Sequence, residues 1–156
     1  MIFSPFEKTT KFHYVGLEQF SNLYGYSVKN RISLLYLEVL KKSHKLVMFE
    51  SVYRTERTKY LKTLNAIARA SLLLAEKNIE HAIFKTIRPY KSTTVDIDIL
   101  IFGDRRNYLK SVETMRKAGY TLVVYGPRST TLWDQETNIG IDLYEQVAVS
   151  FITYLD

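Results

Sequence analysis

Cysteine is absent from the 156-residue chain, which excludes structural disulfides and thiolate metal sites together. Apolar runs are too short to span a bilayer; the longest candidates, 32–40 and 71–75, are brief and interrupted. The opening stretch Met1-Ile2-Phe3-Ser4-Pro5-Phe6 has no basic region followed by an apolar one. The expectation is therefore no secretory signal, no membrane partner and, by default, a cytoplasmic protein. Neither a P-loop nor a Rossmann glycine pattern is legible, nor a Ser-His-Asp arrangement. His13, His44 and His81 are scattered without ligand spacing. No repeat, low-complexity tract or linker divides the chain.

With 46% hydrophobic and 24% charged residues, the composition is that of an ordinary globular domain able to bury a core. The net charge of +6 is unevenly spread. Residues 1–94 carry 16 Lys/Arg against 7 Asp/Glu, whereas residues 95–156 carry 6 against 9. A basic half suits a polyanionic partner, nucleic acid or a triphosphate with its cation, but solvated helix faces give the same pattern.

Residues 1–27 are rich in aromatics without a clear period and read as an irregular arm, a possible contact for a protein partner. Residues 28–43 have helical spacing through Ile32, Leu35, Tyr36, Val39 and Leu40. The run 46–49 fits a strand or a helix end. A longer helix is expected over 55–77, with Tyr60, Leu61, Leu64, Ile67, Ala68, Ser71, Leu72 and Ala75 as its apolar face and Asn78 at its C-terminal cap. Residues 79–86 read as a strand, 88–93 as a loop, and 94–102 as the clearest strand of the chain. Asp104 caps a helix over 105–118 that buries Leu109, Val112 and Met115 and stops at Gly119. Strands follow over 120–125, 129–133 and 139–144, and a short helix is expected over 145–156. The pattern is one α/β (α+β) domain, residues 51–156, with an N-terminal helical addition over residues 1–50.

Within the strand 94–102, Asp96 and Asp98 are two apart and so share a face. Two adjacent carboxylates repel, and their desolvation is costly. A hard divalent cation, Mg²⁺ or Mn²⁺, relieves both penalties. A wet edge strand would carry the same residues at no cost. Asp142 is a third acid at the centre of a β-like apolar run, Ile139-Gly140-Ile141-Asp142-Leu143-Tyr144, where it either joins the pair or is solvated on an outer strand. The preceding loop gathers Lys85, Arg88 and Lys91 with the hydroxyls of Thr86, Ser92 and Thr93. The segment Ser129-Thr130-Thr131 and the lone Trp133 suggest strand and core roles.

The order of helix, strand, basic loop, Val95-Asp96-Ile97-Asp98-Ile99 strand, helix, strand and a later strand with a lone Asp resembles the nucleotidyltransferase superfamily typified by DNA polymerase β, including its small prokaryotic members. The resemblance covers about residues 55–145. In that family a strand ends in a Gly-Ser turn about ten residues before the Asp-x-Asp/Glu strand. Here Phe84-Lys85-Thr86 holds that place, with Thr86 ten positions before Asp96, and Lys85 stands where the family has glycine.

The resemblance implies a mixed β-sheet flanked by helices, and transfer of a nucleoside monophosphate from an NTP to an acceptor hydroxyl. It implies metal binding and catalysis by Asp96, Asp98 and Asp142, with Lys85, Thr86, Arg88, Lys91, Ser92 and Thr93 around the nucleotide and Mg²⁺ or Mn²⁺ as cofactor. The acceptor stays open among a small molecule, a protein and an RNA end. A fold-retaining binding module for nucleotide, nucleic acid or protein is the alternative, favoured by the loss of glycine at Lys85.

Overall fold

Two helices, Leu17–Lys29 (α1) and Ser33–Lys42 (α2), precede a 3₁₀ turn at Val47–Phe49 and a helix of 27 residues, Glu50–Glu76 (α3). These are followed by His81–Phe84 (β1), Asp96–Ile101 (β2), Arg105–Lys117 (α4), Thr121–Tyr125 (β3), Ser129–Asp134 (β4), Ile139–Tyr144 (β5), Val147–Val149 (β6) and Ile152–Leu155 (β7). The computed structural model describes residues 17–149 and 152–155, and side chains over 18–146. Strands β1 to β5 form one sheet in the order β1-β2-β5-β4-β3, and β6 pairs with β7. Within the larger sheet β2 and β5 are parallel, and every other pairing is antiparallel.

The core lies between one face of this sheet and helices α3 and α4. Ile97, Ile99 and Ile101 of β2 meet Ile141 and Leu143 of β5 and Leu132 of β4. Ala66, Ala70 and Leu74 of α3, with Tyr108, Val112 and Met115 of α4, cover them. Alternation along β2 does the sorting: each isoleucine that enters the core leaves the neighbouring aspartate on the opposite face. Because β1 and β5 flank β2, its position is interior, which removes the edge-strand alternative for Asp96 and Asp98.

The long helix does not bury the face expected from its large residues. Leu61, Leu64 and Leu72 are exposed, and the buried line is Tyr53, Thr63, Ala66, Ala70 and Leu74. Apolar residues run almost all the way around this helix, and the sheet takes the side whose short side chains allow close approach. The C-terminal stop is as expected: Asn78 adopts φ 53, its N–H reaches the Ala75 carbonyl, and the Ile79 N–H reaches that of Leu74. In α4 the Asp104 carboxylate accepts the Asn107 N–H at 3.0 Å, as an N-cap does. Leu109 is exposed there, and Tyr108 takes the buried place, its hydroxyl hydrogen-bonded to Thr130 at 2.6 Å.

The N-terminal half departs further from the expectation. Residues 17–27 are helical rather than irregular, while residues 1–16 lie outside the described residues. Phe20 and Tyr24, four apart, join Leu34, Leu37, Leu40, Leu46, Phe49 and Tyr53 in a second apolar cluster. The helix expected over 28–43 is broken at Arg31, whose φ of 57 ends α1. The Arg31 N–H bonds to the Val28 carbonyl and the Ile32 N–H to that of Ser27, closing the helix end before α2 begins. At the other end of the chain, the helix expected over 145–156 is instead the β6–β7 pairing. The β-branched Val147, Val149 and Ile152 account for the difference.

Candidate active site

On the sheet face away from the core, Asp96 and Asp98 line a cleft of about 450 Å³ together with Arg31, Lys85, Thr86, Arg88, Thr93 and Thr94. Strand pairing sets the carboxylates: Asp98 is directly opposite Asp142 in the parallel β2–β5 ladder, where neighbouring strands run about 4.8 Å apart. The Thr131 hydroxyl of β4 donates to Asp142 Oδ1 at 2.6 Å. The Thr94 hydroxyl contacts both the Asp96 carbonyl and Asp96 Oδ1, at 2.9 and 3.2 Å. Tyr144, two residues beyond Asp142, brings its hydroxyl near the Asp98 carboxylate.

Crowded like charge marks the site. Burial pushes the Asp98 carboxyl above its ordinary range, and the neighbouring Asp96 and Asp142 push it further, against the opposing influence of the Tyr144 hydroxyl and the Lys85 charge. The Tyr144 phenol is pushed up to about 12, first by burial and then by the Asp98 and Asp142 carboxylates. It therefore stays protonated beside the carboxylates.

Strand β1 ends in a tight turn. The Thr86 N–H bonds to the Phe84 carbonyl at 2.6 Å, a γ-turn centred on Lys85, whose φ is 58. Left-handed backbone is costly for a residue with a Cβ and is where glycine is at home. The glycine-like turn is thus present, built with lysine. The Thr86 hydroxyl accepts the Asp98 N–H at 2.9 Å, and Lys85 Nζ lies 4.9 Å from the Phe84 ring centre and 5.8 Å from that of Tyr144. These two rings meet edge to face at 5.4 Å.

The remaining loop residues separate into two groups. Arg88 lines the cleft with its guanidinium on the Tyr90 hydroxyl at 3.0 Å. Thr93 also lines the cleft, and its hydroxyl is given to Glu56 at 3.1 Å. Lys91 is instead paired with Glu38 of α2 at 2.9 Å, and Ser92 is buried; neither lines the cleft. Sequence reasoning did not single out Arg31, Thr94, Thr131 or Tyr144. The period-2 alternation with Asp142 was a signal for Tyr144, and the proximity of Thr94 to Asp96 was another. Arg31 had none, because only tertiary folding brings it to the cleft.

Hard carboxylate donors crowded together, their repulsion offset in part by Lys85, suit Mg²⁺ or Mn²⁺. Among the described residues no three His, Cys, Asp or Glu side chains are grouped closely enough to hold one ion. The fit therefore rests on the Asp96–Asp98 pair, with Asp142 across the ladder from Asp98.

No known protein family matches the sequence, and no curated protein does. Among solved structures the chain is similar to the STING-associated CdnE c-di-GMP synthase from Capnocytophaga granulosa, with a TM-score of 0.50 and 14% identity. The match covers 80% of this chain and 48% of that one, so the chain spans about half the length of that protein. The fold is the nucleotidyltransferase fold. Among the described residues no helix is long and apolar enough to cross a membrane.

Proposed function

We propose that this chain is a metal-dependent nucleotidyltransferase that moves a nucleoside monophosphate from an NTP to an acceptor hydroxyl. One observation carries the reading: Asp96 and Asp98 share a cleft with Lys85 and Arg88, and Asp142 faces Asp98 across the parallel ladder. Asp96 and Asp98 would hold Mg²⁺ or Mn²⁺, with Asp142 facing Asp98 from the neighbouring strand. When bound, such ions stabilise negative charge on the attacking and leaving oxygens. Lys85 and Arg88 offset charge on the phosphates, and the Thr86 O–H, whose oxygen already accepts from Asp98, has a proton to donate to them. Asp142 accepts the proton of the acceptor hydroxyl. The acceptor oxygen then forms a bond to the α-phosphorus, the bond to the bridging oxygen breaks, and pyrophosphate leaves with its electron pair.

The similarity to a c-di-GMP synthase supports nucleoside triphosphates as the substrate class. Lys85 in place of glycine favours a second reading, a binding module that retains the fold without the transfer. Incubating the purified chain with each of four labelled NTPs and Mg²⁺ or Mn²⁺ tests the first. Release of pyrophosphate or a labelled product that disappears in Asp98→Asn is the expected result. Nucleotide binding without turnover, in every metal and with every NTP, would establish the second.

A further inference from the structure

The helical unit ahead of the sheet contributes a wall of the cleft. Arg31 lies in the turn between α1 and α2, more than fifty positions before Lys85 in sequence, yet both line the same cavity with Arg88, Asp96 and Asp98. Its side chain is exposed and has no hydrogen bond or ion pair among the described residues. Most other polar groups between the helices and the loop are engaged. Lys91 pairs with Glu38 of α2 at 2.9 Å. Glu56 of α3 accepts from Ser33, two residues after Arg31, and from Thr93 of the loop, both at 3.1 Å. These bonds fix the Arg31 turn relative to the loop on the far side of the cleft.

We propose that Arg31 binds the phosphate chain of the nucleotide, so that the N-terminal helices complete the substrate site. This rests on the nucleotidyltransferase reading above. Three cations from two separate segments, Arg31 between α1 and α2 and Lys85 and Arg88 in the β1–β2 loop, surround a cavity that also holds two carboxylates. That composition matches a polyanion accompanied by divalent cations and mismatches a neutral ligand. A guanidinium presents its donors in a fork that fits phosphate oxygens. The hydrogen bond from Ser33 to Glu56 ties the segment just after Arg31 to α3. Arg31 is thereby a substrate-binding residue, and the helices that carry it are part of the site.

The backbone supplies a discriminating variant. At φ 57 glycine is favoured over any residue with a Cβ, so Arg31→Gly removes the charge without straining the fold. Melting temperature without ligand, and affinity for the four NTPs and for inorganic tripolyphosphate with Mn²⁺, are measured on the full chain. The expected result is a melting temperature equal to or above wild type. Affinity for NTP and tripolyphosphate should fall together by about 10- to 100-fold, the loss typical of a charge-assisted hydrogen bond. Arg31→Lys should recover part of it. If Arg31→Gly binds NTP like wild type while Lys85→Gly does not, the nucleotide site is intact and Arg31 is outside it. A loss confined to NTP, with tripolyphosphate unaffected, overturns the phosphate assignment in favour of a contact with the nucleoside. Failure of the wild type to bind either ligand overturns the nucleotide reading, and this inference with it.

Discussion

The hydroxyl of Thr86 accepts the backbone N–H of Asp98 at 2.9 Å, where the β1–β2 ladder has just ended at the Phe84–Asp98 pair. A side chain thus continues the ladder past the γ-turn and holds the carboxylate strand against it. Replacing Thr86 by Val keeps the shape and removes the acceptor, leaving the Asp98 N–H without a partner. We expect a loss of about 1–3 kcal/mol, the cost of an unsatisfied buried donor, measured by urea unfolding. Thr86→Ser should retain most of the stability. Equal stability of the Val and Ser variants would show that the bond contributes nothing.

Lys85 is the matching case in which backbone and charge pull apart. Its φ of 58 makes Lys85→Gly a relief of steric strain, set against the extra entropy glycine gains on unfolding. The net expectation is a gain of up to about 1 kcal/mol in stability, since a left-handed residue with a Cβ carries roughly that much strain. NTP affinity should fall in the same variant, because the cation beside the phosphates is gone. Thermal unfolding and NTP titration of one protein read both effects. A less stable Lys85→Gly would mean that the contacts with Phe84 and Tyr144 outweigh the strain.

Much of this site was legible because it is written in period 2. Asp96 and Asp98 alternate with isoleucines that had to face the core, and β5 repeats the pattern around Asp142. Helix ends were legible where a residue with a specific backbone role stood at them, as at Asn78, Asp104 and Gly119. The burial of α3 was not, because leucines lie on a side of the helix that the sheet does not use, and close approach selected alanines instead. The break at Arg31 was hidden for a related reason: arginine gives no hint of left-handed backbone, and the apolar spacing continues across it. Lys91 appeared to belong with the loop cations, but its partner, Glu38, is 53 positions away. Long-range pairing of this kind has no local signature.

That pair gives a pH dependence with a definite sign. Burial alone would raise the Glu38 carboxyl, but the hydrogen bond and charge of Lys91, with Tyr53, hold it below its ordinary value. A carboxyl with a lowered folded pKa adds stability that is present above the unfolded value, near pH 4.3, and lost as pH falls through the folded one. Melting temperature should therefore drop more between pH 7 and pH 3 in the wild type than in Glu38→Gln. Parallel acid profiles for the two proteins would leave the pair without a part in acid stability.

The carboxylates make a separate prediction about metal. Ions that bind only the folded state raise its melting temperature by mass action, so Mn²⁺ should stabilise the wild type. The double change Asp96→Asn, Asp98→Asn should abolish that rise, and Asp142→Asn should reduce it. Without metal the double variant should be no less stable than wild type, since it removes the repulsion that raises the Asp98 carboxyl. A Mn²⁺ response that survives the double change places the ion elsewhere.

The basic residues distinguish a nucleotide enzyme from a nucleic-acid binder. Lys85 and Arg88 line the cleft, whereas Arg57, Lys59 and Lys62 are exposed on α3 outside it, with Lys59 paired to Glu56 at 3.3 Å. If the ligand is an NTP, Lys85→Ala and Arg88→Ala should each weaken its binding, and a triple alanine variant of the α3 residues should leave it unchanged. If the ligand is an oligonucleotide, charge along α3 should matter most. Its affinity should then fall steeply with salt, because each neutralised phosphate releases counterions. Titrating both ligands against both sets of variants at two salt concentrations separates the cases. We expect the cleft residues to control NTP binding with a shallow salt dependence. Oligonucleotide binding that depends on α3 and persists in Asp96→Asn, with no NTP bound at millimolar concentration, would leave the fold as described and refute the proposed activity.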